Sequence, residues 1–441
     1  MSISIKLASL TDDQKNTISK LLCINPKENF FDYQRKRYYR NNDIDVEEVN
    51  KTVVFYTADS EYIYLPYSFG EKLLGYNPNK MLGYSICNYT FTKKLFESQV
   101  ELYQEASKQL LIYGTTTLNL YTGIGKTIMI TSLTSMLNLV TLILVTNTIL
   151  LEQWDASYRR FTTAKTYIVD DIFQSSPDTN VIICMTSRIH YIPKVWLNII
   201  GTLVIDEAHT FCSPSRVPAI LSCQPRYIIS ATATYERDDG MHVMMESLCG
   251  VHKVTKISKK PFTVVKYNTK YREEIPRDYR GMPKWNDLVN QLTNNAQRNE
   301  LLINIIKSNI HFKILVLTAR KNHVLTLYNM CDNLGLKCDY MTGNKKIYKD
   351  SNVLIGTIKK LGTGFDEEAA CENFEGVRIN LLIIAVSIKS KSLLEQISGR
   401  CFRSDFPNII YLIDNNHISE NHWKKGLPWF KSRNGVVTEI Y

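Results

Sequence analysis

Residues Tyr121–Ile130 read YTGIGKTIMI, and the fold turns on how that stretch is understood. It lies between an apolar, β-rich run, "TTLNLY", and a helix-like run, "KTIMITSLTSML". Phosphate binding calls for this order: a strand to deliver the loop, glycines whose N–H groups can close on an anion, and a helix N-terminus aimed at it. The full phosphate-loop signature carries a further glycine, and counting back from Gly125 its place falls on Leu120. That position ends the strand, and the later glycines make the turn, so the loss is tolerable. Gly123, Ile124 and Gly125 then form the cradle, Lys126 reaches the β- and γ-phosphates, and Thr127 offers its hydroxyl to Mg²⁺. A glycine turn that merely precedes a lysine is the ordinary alternative.

A second carboxylate-bearing motif is needed to choose between them. "TLVIDEAHTF" puts Asp206 and Glu207 at the end of an apolar strand, about 80 residues further on, where phosphoryl chemistry at strand ends expects acids. Asp206 can hold Mg²⁺ through water, and Glu207 can polarise an attacking water as general base. Asp-Glu after a strand is also a common helix cap, and His209 alone reads as a core or surface histidine.

Around these motifs, β-branched runs ("TLILVT", "NVIICMT", "TLVIDE", "RYIISAT") alternate with helix-like stretches from residue 96 to 250. The alternation resumes from 285 to 441 with "KILVLT", "NVLIGT", "INLLIIAV" and "NIIYLI". Buried parallel strands alternating with helices predict an α/β architecture of two similar lobes in tandem. The Lys-rich passage 251–284 reads as a connector, and residues 1–95 as a small N-terminal α+β accessory domain. Within that domain, "TVVFYTADSEYIYLPYSFG" predicts two short strands around Ala58-Asp59-Ser60. "FFDYQRKRYYRNND" mixes aromatic rings with Arg35, Lys36, Arg37 and Arg40, which suits either stacking on a nucleic acid or a solvated amphipathic face.

Bulk properties are compatible with this and exclude other classes. A chain of 441 residues with 44% hydrophobic and 22% charged residues is globular and too long for one core. No window is long and apolar enough for a membrane helix, and the N-terminus has no secretory pattern, so an intracellular protein without a membrane partner is expected. The 10 cysteines are scattered without a C-x-x-C pair, which disfavours disulfide and metal frameworks. A net charge of +10 suits a polyanion partner without requiring one.

The motifs form an ordered series: "TGIGKT", "LVTNTILLEQW", "MTSR", "VIDEAH", "SATATYERDDG", "LVLTARKNHV", "LIGTIKKLGTGFD" and "QISGRCFR". This series resembles motifs I, Ia, Ib, II, III, IV, V and VI of superfamily 2 helicases, over residues 96 to 415. The DEAH sequence and the Arg-Asp-Asp-Gly after motif III resemble the XPB-like branch. Compact size and "YLPYSFG" resemble the transcript-release helicases of poxviruses and other large DNA viruses.

The resemblance implies two RecA-like lobes that use ATP and Mg²⁺ on nucleic acid, the first supplying cradle and carboxylates, the second cations. Arg400 and Arg403, three apart on an expected helix, would reach the γ-phosphate, with Gln396 one turn earlier on nucleotide or water. Asp366 would couple nucleotide to the second lobe, and Gln104 would recognise adenine. Thr148, Thr186, Arg188, Arg320, His323, Thr357 and Gly362 would line a strand-tracking groove. Ser230 and Thr232, with His209, would link the ATP and nucleic-acid sites. Departures are Leu120, Thr146-Asn147 in place of Pro-Thr, Glu101 in place of an arginine before Gln104, and an uncertain motif III register.

Three functions compete on sequence: an ATP-dependent DNA helicase or translocase, an RNA helicase or remodeler, and a non-hydrolysing nucleic-acid-binding transcription accessory factor. DNA is the favoured partner, with transcription machinery as an expected protein partner and a monomer as the working form. If the viral resemblance holds, the place is a host cytoplasmic factory or the virion; otherwise nucleus or cytoplasm.

Overall fold

The computed structural model describes residues 2–24, 53–213, 216–232, 243–258, 260–362 and 365–440. The aromatic-basic stretch at 30–43 and the Arg-Asp-Asp-Gly after motif III lie outside them. By contact the chain divides into one unit of residues 1–120 and 124–256, and another of 121–123 and 257–441.

The first unit is built on a seven-stranded sheet. Its order is Lys253–Lys256, Thr115–Leu120, Tyr227–Thr232, Thr202–Ile205, Thr141–Val145, Val181–Met185, Thr166–Ile168, and every pairing is parallel. Strands Thr141–Val145 and Thr202–Ile205 are buried at every residue, as a sheet covered on both faces requires. Helix Lys126–Leu137 follows the Thr115–Leu120 strand and buries Met129 through Thr134, so it packs as an interior element and not as an amphipathic surface helix. Because all strands run the same way, the loops that follow them emerge at one edge, where α/β proteins place ligands.

The second unit repeats the plan. Its sheet runs Cys338–Met341, Val353–Thr357, Ile314–Thr318, Leu381–Ile384, Asn408–Ile413, Phe262–Asn268, Gly435–Ile440, again wholly parallel. The period of two is visible in its core. Leu315, Leu317, Leu382 and Ile384 feed the apolar cluster on one face, while Ile314, Val316, Leu381 and Ile383 feed that on the other. Two parallel sheets flanked by helices make this an α/β protein with tandem RecA-like lobes.

The expected connector is more structured than its polarity suggests. Lys253–Lys256 joins the first sheet and Phe262–Asn268 the second, each as a parallel strand. Their Lys and Thr residues masked the alternation, since these strands are only partly buried.

Near the N-terminus, Ser2–Lys6, Tyr62–Pro66 and Thr57–Ala58 form an antiparallel three-stranded sheet, with Asp59 Oδ1 accepting from the N–H of Glu61 and Tyr62 in the hairpin turn. This sheet and the residues that follow it are stitched to the segment entering the Tyr227–Thr232 strand. Ser2 N donates to the Cys223 carbonyl at 2.9 Å, Tyr84 Oη to that of Gln224 at 2.6 Å, and Tyr67 Oη to that of Arg226 at 2.7 Å. By contacts these N-terminal elements are part of the first unit. All 10 cysteines are free thiols. Among the described residues, no helix is long and apolar enough to cross a membrane.

Candidate active site

The phosphate loop leaves the strand at Leu120 and turns twice through left-handed glycines, Gly123 at φ 97° and Gly125 at φ 92°. These conformations are strained for any residue with a Cβ. At Gly125 space forbids one as well, because an added Cβ would meet the Gln99 side-chain nitrogen at 2.3 Å. Gln99 is buried, donates from Nε2 to the Ile124 carbonyl at 2.7 Å, and accepts from Phe96 N at 2.9 Å. Lys126 Nζ donates to the Leu120 carbonyl at 2.8 Å, which holds the ammonium back over the loop it follows. Thr127 occupies the first turn of the same helix.

Gln104 lies elsewhere. It is exposed on helix Glu97–Tyr113 and lines a shallow depression with Glu101, Lys108 and Lys256. The glutamine that touches the phosphate loop is Gln99, five positions earlier, which the motif-based reading passed over. Its signal was local: Phe96 N–H bonded to a side chain three residues on is a capping arrangement that faces the helix N-terminus.

Asp206 and Glu207 follow the Thr202–Ile205 strand. Trp154 Nε1 donates to Asp206 Oδ2 at 2.9 Å, and Glu207 N donates to Oδ1 at 3.0 Å. Burial and the adjacent Glu207 charge push the Asp206 carboxyl up to about 6, against the opposing pull of Trp154 and of the nearby Lys126 ammonium. The Asp206 carboxylate, oriented by Trp154 and the Glu207 N–H, presents the hard oxygen donors that a divalent cation takes. Thr127 and Asp206 are the oxygen donors that would hold Mg²⁺, whose chemistry there would be to neutralise phosphate charge.

Folding raises the Asp206 pKa from 3.8, so the native state gains stability from its protonation below about pH 4 and loses that gain as pH rises through about 6. Asp206→Asn is therefore expected to stabilise the ligand-free protein by ~1–3 kcal/mol at pH 8 and by little at pH 4, read as a Tm difference that shrinks with acidification.

Glu207 itself adopts φ 52°, ψ 50°, a left-handed conformation that costs a residue with a side chain about 1 kcal/mol or more. The turn lifts its carboxylate clear of the strand and places Oε2 3.5 Å from His209 Nδ1. His209 is buried, and its Nδ1 also contacts Thr232 Oγ1 at 3.0 Å. Ser230, two residues earlier, meets Thr117 Oγ on the neighbouring strand at 2.7 Å. Motif II is thus tied to the Tyr227–Thr232 strand, and that strand to the one that delivers the phosphate loop.

Trp154 has no place among the sequence-derived site residues, yet its ring is buried and its N–H aims the Asp206 carboxylate. Trp154→Phe keeps the ring and removes that donor. It is expected to weaken the apparent Mg²⁺ affinity of ATP hydrolysis about 10-fold, checked by Mg²⁺ titration at fixed ATP.

Of the groove candidates in the first unit, Thr148 is exposed at the start of helix Thr148–Phe161, which Asn147 caps through Leu150 N at 2.9 Å. Thr186 opens the short 3₁₀ turn Thr186–Tyr191. Arg188 donates to Asp170 at 2.9 Å and to the Val169 carbonyl at 3.3 Å.

In the second unit His323 departs from expectation. It is 2% exposed, with Nδ1 2.5 Å from Thr318 Oγ1 and Nε2 2.8 Å from Asn299 Oδ1. Burial and the Arg298 charge lower its pKa to about 3, so it is a neutral core histidine and not a groove contact. Arg320 is at the surface, held by Asn290 at 2.8 Å and Asn286 at 3.0 Å. Thr357 is buried and caps the turn Ile358–Leu361 through Lys360 N.

Arg400 and Arg403 are not on regular helix. Helix Lys391–Ser398 ends before Gly399, and both arginines follow in consecutive turns. Arg400 is buried, with one nitrogen on the Phe365 carbonyl at 2.6 Å and another on that of Gly362 at 2.9 Å. Arg403 is more open, its side chain 25% exposed and 3.3 Å from Asp366 Oδ2. Although burial opposes it, Arg403 and the N–H groups of Ala369 and Glu368 hold the Asp366 carboxyl below its usual range. Gln396 is buried on the preceding helix.

Comparison with known proteins follows the same lines. The family model ResIII, described as "Type III restriction enzyme, res subunit", matches residues 92–237. The "Putative helicase 161L" of Invertebrate iridescent virus 6 is 28% identical over 377 residues, 79% of this chain and 83% of that protein. The "Putative helicase 055L" of Frog virus 3 (isolate Goorha) is 27% identical over 347 residues, 75% of this chain and 77% of its own. A variant of S. cerevisiae Dbp5 bound to RNA and ADP BeF3 shares the fold, with TM-score 0.54 and 14% identity over 77% of this chain and 89% of that one. The family match and the viral relatives are those of an ATP-dependent helicase enzyme, and the solved structure shares its fold of tandem RecA-like lobes.

Proposed function

We propose that the chain is a nucleic-acid-stimulated ATPase that works as a DNA helicase or translocase of a large DNA virus, in transcription termination and transcript release or in DNA repair. The observation that carries the hydrolytic part is the cluster at the first sheet's edge: Trp154 on Asp206, Glu207 beside His209, and His209 on Thr232. Lys126 and the loop N–H groups bind the phosphates of ATP. Glu207 takes a proton from the attacking water, and His209 passes the state of that carboxylate to the Tyr227–Thr232 strand. Arg403 supplies the cation that balances charge on the leaving γ-phosphate. Arg400 acts through the two residues it holds, Gly362 and Phe365, which belong to motif V.

Support for DNA comes from the resemblance of the motif pattern to the XPB-like branch. The chain would act as a monomer, with transcription machinery as partner, in the cytoplasmic factory or the virion. The deciding experiment compares ATPase stimulation by duplex DNA, single-stranded DNA and RNA, with unwinding of tailed duplexes in both orientations. Stimulation and unwinding on DNA support this reading. Stimulation by RNA alone replaces it with an RNA remodeler.

A further inference from the structure

The segment between strand Phe262–Asn268 and helix Trp285–Asn294 contains a turn that closes on itself. Asp278 N donates to the Met282 carbonyl and Gly281 N to the Asp278 carbonyl, each at 2.9 Å. Asp278 Oδ1 accepts from the N–H of Arg280 and of Met282, both at 2.9 Å. Arg277 donates to the Gly281 carbonyl at 2.7 Å, and Lys284 N to that of Pro276 at 2.7 Å, shutting the base. At the tip stands Tyr279, 84% exposed, with the Arg280 guanidinium 4.7 Å from its ring centre.

A large aromatic ring in water forfeits the hydrophobic stabilisation that burial would give it. Here the backbone is fixed by its own hydrogen bonds, so the exposure is built in and the ring can bind a flat partner without further ordering of the loop. At the tip, Arg277 and Arg280 flank Tyr279, and the Asp278 carboxylate between them is occupied by backbone N–H groups, while Lys284 at the base pairs with Asp287 at 3.8 Å. A rigid ring flanked by cations matches a nucleobase and its phosphates, whereas an apolar protein partner would call for neighbouring aliphatic groups.

Topology puts the turn near the other strand-contacting candidates of this unit. Strand Phe262–Asn268 is parallel to its neighbours, so the segment it feeds leaves the edge from which the turns after Thr318 and Thr357 also emerge. The helix that follows the turn carries Asn286 and Asn290, which hold Arg320.

We propose that residues 276–284 form a stacking pin for single-stranded nucleic acid, Tyr279 taking a base on its ring and Arg277 and Arg280 the adjoining phosphates. The pin deepens, and rests on, the nucleic-acid-dependent function proposed above. The test uses the full chain and a single-stranded DNA oligomer carrying 2-aminopurine, whose fluorescence falls on stacking. With Tyr279→Ala, oligomer affinity should fall about 10-fold, quenching should disappear, and unwinding should drop further than ATPase. Tyr279→Phe should restore all three, and ATPase without nucleic acid should be the same in every variant. If wild type binds and quenches the oligomer and Tyr279→Ala does so equally, the pin is overturned while the functional reading stands. If wild type neither binds nucleic acid nor is stimulated by it, the functional reading falls, and the pin with it.

Discussion

Glu207→Gln is expected to lower ATP turnover about 10²–10⁴-fold while leaving ATP affinity within a few-fold of wild type. The substitution keeps size and shape, so the left-handed turn and the His209–Thr232 contact persist. What disappears is the ability to accept a proton from water, since an amide oxygen is far too weak a base. Binding is spared because the phosphates are held by the 123–127 loop, which Gln99 and Lys126 organise independently of Glu207. Phosphate release with saturating DNA, alongside nucleotide titration of the same preparation, separates the two effects. Unchanged turnover would favour the non-hydrolysing accessory factor over the enzyme.

Arg403→Ala is expected to cost on the order of 10³ in turnover, the scale of a transition-state cation that ground-state binding does not need. The structure separates the two arginines of motif VI. Arg400 is occupied by the carbonyls of Phe365 and Gly362 and is buried, so it is expected to act by holding those two residues. Arg403 makes one longer ion pair with Asp366 from a partly open position. Exchanging a carboxylate partner for a phosphate is a small step for a guanidinium, because both present oxygens to the same planar fork. The KM for ATP should move far less than kcat, which a steady-state series over ATP concentration would show.

Much of the fold was legible because buried parallel strands leave a blunt signature. Runs such as "TLILV" and "NLLII" have no polar face to confuse the period, and the glycines at 123 and 125 mark a turn that few other residues can make. The strands at 253–256 and 262–268 were harder, since an edge or partly covered strand carries lysine and threonine and reads as linker.

The site was legible where a motif is contiguous and obscure where contacts span the chain. Nothing near His323 in sequence foretells Asn299, whose side chain, 24 positions earlier on another helix, satisfies its Nε2 and completes its burial. Trp154 and Asp206 are likewise 52 residues apart and meet because the strand before Trp154's helix, Thr141–Val145, pairs with the Thr202–Ile205 strand that Asp206 follows. Gln99 and Gln104 share one helix, and only its packing shows which of them faces the phosphate loop. Gly399 is the residue that spacing alone underweighted: it caps the helix, so both arginines follow in turns, Arg400 buried on the Phe365 carbonyl and Arg403 partly open beside Asp366.

We propose that ATP cleavage needs both Glu207 and the partly open Arg403. Rapid-quench measurement of a single turnover of pre-bound ATP, at saturating DNA, tests it in wild type, Glu207→Gln and Arg403→Ala. Full ATP occupancy is expected in all three, with cleavage slowed at least about 10²-fold in each variant. Cleavage at the wild-type rate in Arg403→Ala, with occupancy matched, would contradict it.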